Sequence, residues 1–378
     1  MVADKRGVFT KGEGVYVIPY GRQYIDEQDI EKVVKALQSD FLTTGPKVEE
    51  FEETLAKKLG FEYVVVVSSG TAALHLASLA ILQPKQKVIT TPISFVATSN
   101  SILYAGSEPL FVDIADDGLL DLDLVEDRLK KEPIDALYLV SLTGKMFDEE
   151  RVKFLKEKYN LKILYDNAHY FGKDSGVCDV ATYSFHPVKH ITTFEGGAVA
   201  TNSKEIYEKV KLLRNHGIVK KEGMYPWEYE MRELGFNYRL SDVACALGLS
   251  QLQKVDRFLK KRREIAKYYH EHLPKEFTPL YPYDERSSYH LFIVRYSFAS
   301  LKQKAAFFTK MRNRGIGLQV HYIPIYKQPY YQSIGIKADC PKAEEYYLQS
   351  FSLPIYYGLG LKEVDYVVES LKGNVNVL

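Results

Sequence analysis

Apolar positions change their period along the chain. After Asp26, residues Ile30, Val33, Val34 and Leu37 recur at three- and four-residue intervals, and Val48, Phe51, Leu55 and Leu59 repeat the spacing. The pattern predicts two amphipathic helices, the first capped by Asp26. From Tyr63 short, unalternating apolar runs take over, with strands expected at 63–67, 87–90, 109–112, 136–141, 161–166, 180–185 and 198–201, separated by helical stretches. Continuous runs mark strands buried on both faces, so this alternation predicts a mostly parallel seven-stranded sheet between helices, an α/β fold. A long helical stretch over 241–273, broken or bent, leads into a different texture: strand-like 289–296 and 317–322, a helix over 301–314 and helices near Ala343 and Glu363. The division expected is a large domain over 1–255, including an N-terminal arm, and a smaller α+β domain over 256–378. Neither an internal repeat nor a low-complexity tract interrupts it.

Charge and composition remove several function classes. Fifty Lys+Arg face 49 Asp+Glu, a net of +1, and 46% of the 378 residues are hydrophobic. That balance gives no global electrostatic case for a nucleic acid or a membrane surface. Cys178, Cys245 and Cys340 are too scattered for a disulfide framework or a structural zinc site, which points to a reducing cytoplasm and no metal. The opening residues lack an apolar signal core, and no apolar run approaches the roughly 20 residues that span a bilayer. The one dense basic run, Lys260 to Arg263, reads as a solvated helix face.

Three segments carry candidate chemistry. In Val67-Ser68-Ser69-Gly70-Thr71-Ala72 a strand turns through glycine into a helix, whose free N–H groups and hydroxyls suit a phosphate, although Ser or Thr also caps any such helix. In the strand ending Tyr165-Asp166-Asn167-Ala168-His169, Asp166 stands beyond a carboxyl end, where open α/β sheets bind ligands; a helix-capping Asp and an interior His fit equally. In Ser184-Phe185-His186-Pro187-Val188-Lys189 a lone lysine follows another strand. Withdrawn from water, such an amine loses its proton more readily and becomes a Schiff-base nucleophile, whereas an ordinary loop lysine stays charged. Together, a phosphate cradle, a strand-end Asp and a desolvated Lys are the protein's share of pyridoxal phosphate (PLP) chemistry.

At this level the chain resembles the DegT-type sugar aminotransferases, within the fold-type I PLP enzymes, over nearly its whole length. The resemblance is carried by IPYGRQYID (18–26), FLTTGP (41–46), SSGTAALHLA (68–77), TPISFVATSN (91–100), SFHPVKHITTFEGGAVATN (184–202), LRNHGI (213–218), LGFNYRLSDVACALGLSQL (234–252) and QVHYIPIYKQPYY (319–331). It implies that Lys189 forms the internal aldimine and Asp166 bonds the pyridine nitrogen. It places His169 by the ring and its 3-hydroxyl, and Phe95 on the ring face. Gly70, Thr71 and Ser184 hold the phosphate, helped by Asn237 from a neighbouring subunit, in a homodimer with shared active sites. Tyr20, Thr43, His321, Tyr322 and Tyr326 fall to the substrate side. Three positions depart from the family pattern: Phe194 where a small residue is usual, Ser141 where a histidine or aspartate is common, and Asn167 beside Asp166.

The wording of TPISFVAT, HPVKHITT and QVHYIPIYKQ is most similar to a subgroup that aminates a UDP-linked 4-keto-6-deoxy-N-acetylhexosamine on the way to pseudaminic acid. The implied reaction has two stages, with L-glutamate as donor and pyridoxamine phosphate (PMP) between them. A sugar dehydratase on this scaffold carries histidine at the lysine position, and a non-catalytic relative loses the lysine or aspartate; Lys189 and Asp166 argue against both. A Rossmann dehydrogenase needs G-x-G-x-x-G after the first strand, which Ser69-Gly70-Thr71 does not supply.

Overall fold

The structure, a computed structural model, describes residues 2–3, 9–10, 17–173, 176–220 and 225–375, with side chains for 17–173, 176–220 and 225–372. The opening stretch read for a signal core lies largely outside the described residues. Seven strands form the central sheet: β1 (Tyr63–Val67), β2 (Lys87–Thr90), β3 (Glu108–Phe111), β4 (Ala136–Val140), β5 (Lys162–Asp166), β6 (Val180–Ser184) and β7 (Gly197–Thr201). Their spatial order is β1-β7-β6-β5-β4-β2-β3. Strand β7 is antiparallel to both neighbours and every other pair is parallel. Alternate residues serve opposite faces: Val64, Val66, Leu137, Leu139 and Ile163 enter one core, while Val65, Val67, Tyr138 and Leu164 enter the other. Burial on both faces is why these strands read as unbroken apolar runs.

Helices α1 (Glu27–Leu37) and α2 (Pro46–Leu59) precede the sheet, and α3 (Gly70–Ile81), α4 (Ala97–Tyr104), α5 (Leu122–Leu129), α6 (Glu149–Tyr159) and α7 (Lys204–Arg214) connect or flank its strands. The predicted 241–273 helix is two, α8 (Asp242–Leu252) and α9 (Val255–His272), parted at Gln253 and Lys254. Beyond them β8 (Thr278–Pro279), β9 (Phe292–Arg295) and β10 (Ser350–Leu353) form an antiparallel sheet. Helices α10 (Leu301–Asn313), α11 (Pro329–Ser333), α12 (Pro341–Gln349) and α13 (Leu361–Val375) complete the described chain.

Four expectations are corrected. Residues 317–322 make no strand, because their backbone groups go to different partners: Gly317 N–H to Ile18 O (2.8 Å), Gln319 to Ser352 in a single bridge, and His321 O to the Tyr346 hydroxyl (2.6 Å). The strand expected from 289 begins only at Phe292, since Tyr289 has a φ of 43° and His290 N–H bonds Thr143 O at 2.7 Å. In the basic run, Arg262 is 3% exposed, its guanidinium donating to Tyr289 O, His290 O and Ile355 O at 2.9–3.2 Å. Finally, α1 is capped by Asp26 as expected, but its apolar stripe points outward. Ile30, Val34 and Leu37 are exposed, while Asp29 is fully buried and ion-paired with Lys254 at 2.6 Å.

Candidate active site

The carboxyl ends of β4, β5 and β6 converge on a cavity of about 530 Å³ that also receives the N-terminus of α3 and the 319–322 segment. Its lining brings together Tyr20, Gly70, Thr71, Phe95, Asp166, His169, Ser184, Lys189, His321 and Tyr322. Residues from six separated segments therefore meet at the place where open α/β sheets bind ligands.

The α3 turn serves two purposes. Ser69 caps the helix, its hydroxyl accepting from Ala72 N–H at 3.1 Å, which leaves the neighbouring Gly70 and Thr71 at the cavity wall. A Cβ on Gly70 would stand 2.9 Å from Ser184 Cβ, so only glycine lets this helix end lie so close to the Ser184 hydroxyl. Phe95 lies across the cavity, 60% exposed, its ring 6.2 Å from that of Tyr322.

Asp166 ends β5, buried, with Oδ2 accepting from Thr98 Oγ1 at 2.6 Å and Oδ1 from Ala168 N–H at 3.1 Å. Burial raises its pKa despite those hydrogen bonds and the nearby Lys189 charge, so a cation placed against it in the cavity would be held strongly. Lys189 follows β6, and burial draws its amine down to about 8, with Asp166 opposing the shift and Arg262 adding to it. Its Nζ stands 3.4 Å from His290 Nε2. His169 meets the Tyr322 hydroxyl through Nε2 (3.3 Å), while its buried Nδ1 has no hydrogen-bond partner among the described residues. Burial holds His169 and His290 far below the usual imidazole range, so both are neutral. His321, drawn down to about 3, bonds Ser352 through Nδ1 at 2.8 Å and lies against Tyr20.

Three expected residues lie away from this cavity's lining. Thr43 is exposed and bridges to Ser241. Tyr326 is buried, its hydroxyl donating to Glu344 and its ring packed by Phe111. Asn237 is exposed and pairs with Asn215; Ser241, not Asn237, caps α8. Two of the departures from the family pattern bond each other, Ser141 Oγ to Asn167 Oδ1 at 2.7 Å. Phe194 is 52% exposed with a left-handed φ of 66°. Residue-level reading missed Thr98, His290 and Gln319. Thr98 and Gln319 lie inside segments that resemble the family but are not singled out by residue type, and His290 lies in none; Thr98 is identified by its hydrogen bond to Asp166 and His290 by its approach to Lys189.

Comparison with known proteins follows the same geometry. The DegT/DnrJ/EryC1/StrS aminotransferase family model matches residues 23–372. The chain belongs to this family. It is therefore a PLP-dependent aminotransferase of fold type I. The UDP-4-amino-4,6-dideoxy-N-acetyl-beta-L-altrosamine transaminase of Campylobacter jejuni (strain 81-176) is 41% identical over 366 residues, 94% of this chain and 96% of that one. Helicobacter pylori PseC, an aminotransferase involved in the biosynthesis of pseudoaminic acid, superposes with a TM-score of 0.90 at 36% identity, covering 96% of this chain and all of that one. NtdA of Bacillus subtilis, solved with bound PMP, gives 0.83 at 27%, covering 93% of this chain and 83% of that one. The residues present fit the DegT-family cofactor: a helix N-terminus that Gly70 lets lie close to the Ser184 hydroxyl, a buried carboxylate suited to a cation, a His169 Nδ1 with no partner among the described residues and a desolvated amine.

Proposed function

We propose that the protein transfers an amino group from L-glutamate to the 4-keto carbon of a UDP-linked 4-keto-6-deoxy-N-acetylhexosamine, for pseudaminic acid synthesis. The observation that carries the substrate is the end-to-end similarity to the altrosamine transaminase, at 41% identity over 94% of the chain. The cavity supports the chemistry by facing the Lys189 amine and the Asp166 carboxylate toward one space.

In this reading Gly70, Thr71 and Ser184 hold the PLP phosphate, Phe95 covers a ring face, and Asp166 bonds the ring nitrogen and favours its protonated form. When bound, PLP supplies an electrophilic carbon and a ring that withdraws electrons from the carbon bearing the amino nitrogen. Lys189 Nζ is the nucleophile that anchors the cofactor. Once released, the neutral amine would take the proton from the donor's α-carbon and deliver it to the carbon on the far side of the amino nitrogen; in the second stage it would move the proton in the opposite sense. Tyr20, His321 and Tyr322 form the wall of the sugar side, and His169 sits by the ring edge.

A homodimer with shared sites is part of the proposal. The outward apolar stripe of α1 continues into exposed Phe41 and Leu42, and exposed Tyr225, Trp227, Met231 and Leu234 lead to Asn237. A second copy covering these faces would bring Asn237, and Thr43, which bridges to Ser241, to the partner's cavity. The three free cysteines are buried and the cytoplasm is the proposed location; none of the described helices is long and apolar enough to cross a membrane. The two domains are taken as 1–255 and 256–378, meeting where α9 begins.

The deciding experiment offers UDP- and dTDP-linked 4-ketosugars with L-glutamate and reads product mass and configuration. The proposal expects amination of the UDP-linked N-acetylated sugar and little with dTDP sugars. Preference for a dTDP sugar without the acetamido group would refute the substrate while leaving the transaminase chemistry standing.

A further inference from the structure

His290 lies outside every motif read from the sequence, yet its Nε2 is 3.4 Å from Lys189 Nζ. The segment that carries it is braced from several sides. Arg262 donates to the carbonyls of Tyr289 and His290, Arg263 Nε donates to Ser287 O at 3.1 Å, and Ser288 N–H and His290 N–H bond Gly144 O and Thr143 O at 3.0 and 2.7 Å. Phe171 N–H adds a bond to Ser288 Oγ at 2.9 Å. Between these contacts Tyr289, a buried aromatic residue, is held at a φ of 43°, a conformation such residues keep only where their surroundings impose it. The turn directs the His290 ring at the amine, with the His169 ring 4.3 Å away and the His190 ring at 5.5 Å.

Which ring nitrogen carries the proton follows from partners. His290 Nδ1 is buried with no hydrogen-bond partner among the described residues. A buried N–H without an acceptor is costlier than a lone pair without a donor, so the proton belongs on Nε2, facing Lys189. We propose that His290 is a positioning residue for Lys189: its Nε2–H donates to the lone pair of the neutral amine, fixing where that amine waits when it is not bonded to cofactor. The inference rests on the reading of Lys189 as the reactive amine. The charged and titratable groups around that amine act in the same sense or are outweighed. Asp166 favours the ammonium, whereas burial and Arg262 oppose it; His169, His190, His290 and His321 all remain neutral.

The test uses cofactor-free protein, labelling Lys189 with formaldehyde and cyanoborohydride across a pH series and reading its peptide by mass spectrometry. The wild-type midpoint is expected near 8. His290→Leu removes the donor that favours the neutral amine, so the midpoint rises by about half a unit to one unit, whereas a merely drier pocket would lower it. His290→Gln, which keeps an amide N–H, brings the midpoint back toward wild type. A midpoint unchanged or lowered in His290→Leu overturns the proposal. Long-range ¹H–¹⁵N spectra of the wild-type chain test it without any variant: a proton on Nε2 supports it, and one on Nδ1 overturns it. Turnover by Lys189→Ala would instead refute the reading of Lys189, an outcome separate from either His290 result.

Discussion

At the scale of single residues the site depends on two buried groups whose protonation the fold controls. Asp166 keeps its place through Thr98 and Ala168, and an asparagine there keeps the size while losing the charge. Asp166→Asn is expected to bind cofactor yet to transaminate at least about a hundredfold more slowly, about 2.7 kcal/mol of barrier, in single-turnover assays. Near-normal turnover would contradict the role. For Lys189 the sign of the pH effect is set by its amine lying near 8. Below that pH the amine is charged and cannot attack, so the rate at which cofactor-free protein captures PLP should rise as pH increases through about 8 and then level off. A rate flat across that range would place the reactive amine elsewhere. Asp166 and Lys189 were legible in the sequence because each follows an apolar strand whose carboxyl end is predictable. Thr98 and His290 were not, since their meaning lies in the partner they reach across 68 and 101 residues of chain.

At the scale of elements, legibility followed burial. All seven strands of the large sheet lie within a residue of their expected bounds, because strands covered on both faces must be apolar throughout. Strand β10 was invisible: Ser-Phe-Ser-Leu directly continues α12, and its pairing with β9 depends on residues more than 50 positions earlier. The α1 stripe was read correctly as amphipathic, but its buried side is the polar one, through Asp29, Gln251 and Lys254. That inversion yields a prediction. Lys254→Met leaves Asp29 buried without its cation and should destabilise the fold by about 3 to 5 kcal/mol, seen as a lower denaturant midpoint. An unchanged midpoint would mean that the pair is solvated in solution. The α3 turn gives another. Gly70→Ala drives a methyl group against Ser184, and cofactor affinity should fall at least about tenfold, about 1.4 kcal/mol, in equilibrium titration.

For the whole molecule, balanced charge and two apolar cores describe a globular chain, while the exposed apolar residues of α1 and the 225–234 stretch are the faces the proposed homodimer would cover. If Asn237 completes the partner's site, Lys189→Ala and Asn237→Ala chains refolded together should gain activity above the mean of the two parents. Each mixed dimer then holds one intact site and one doubly impaired. Activity equal to that mean, with heterodimers verified, would place Asn237 in its own subunit's site or in none. The central claim, that one lysine of this chain carries the chemistry, meets its most direct test in borohydride reduction of the holoprotein followed by peptide mapping. The account predicts the pyridoxyl phosphate mass on the peptide containing Lys189 and on no other lysine; the same mass on a different lysine, with Lys189 unmodified, would contradict it.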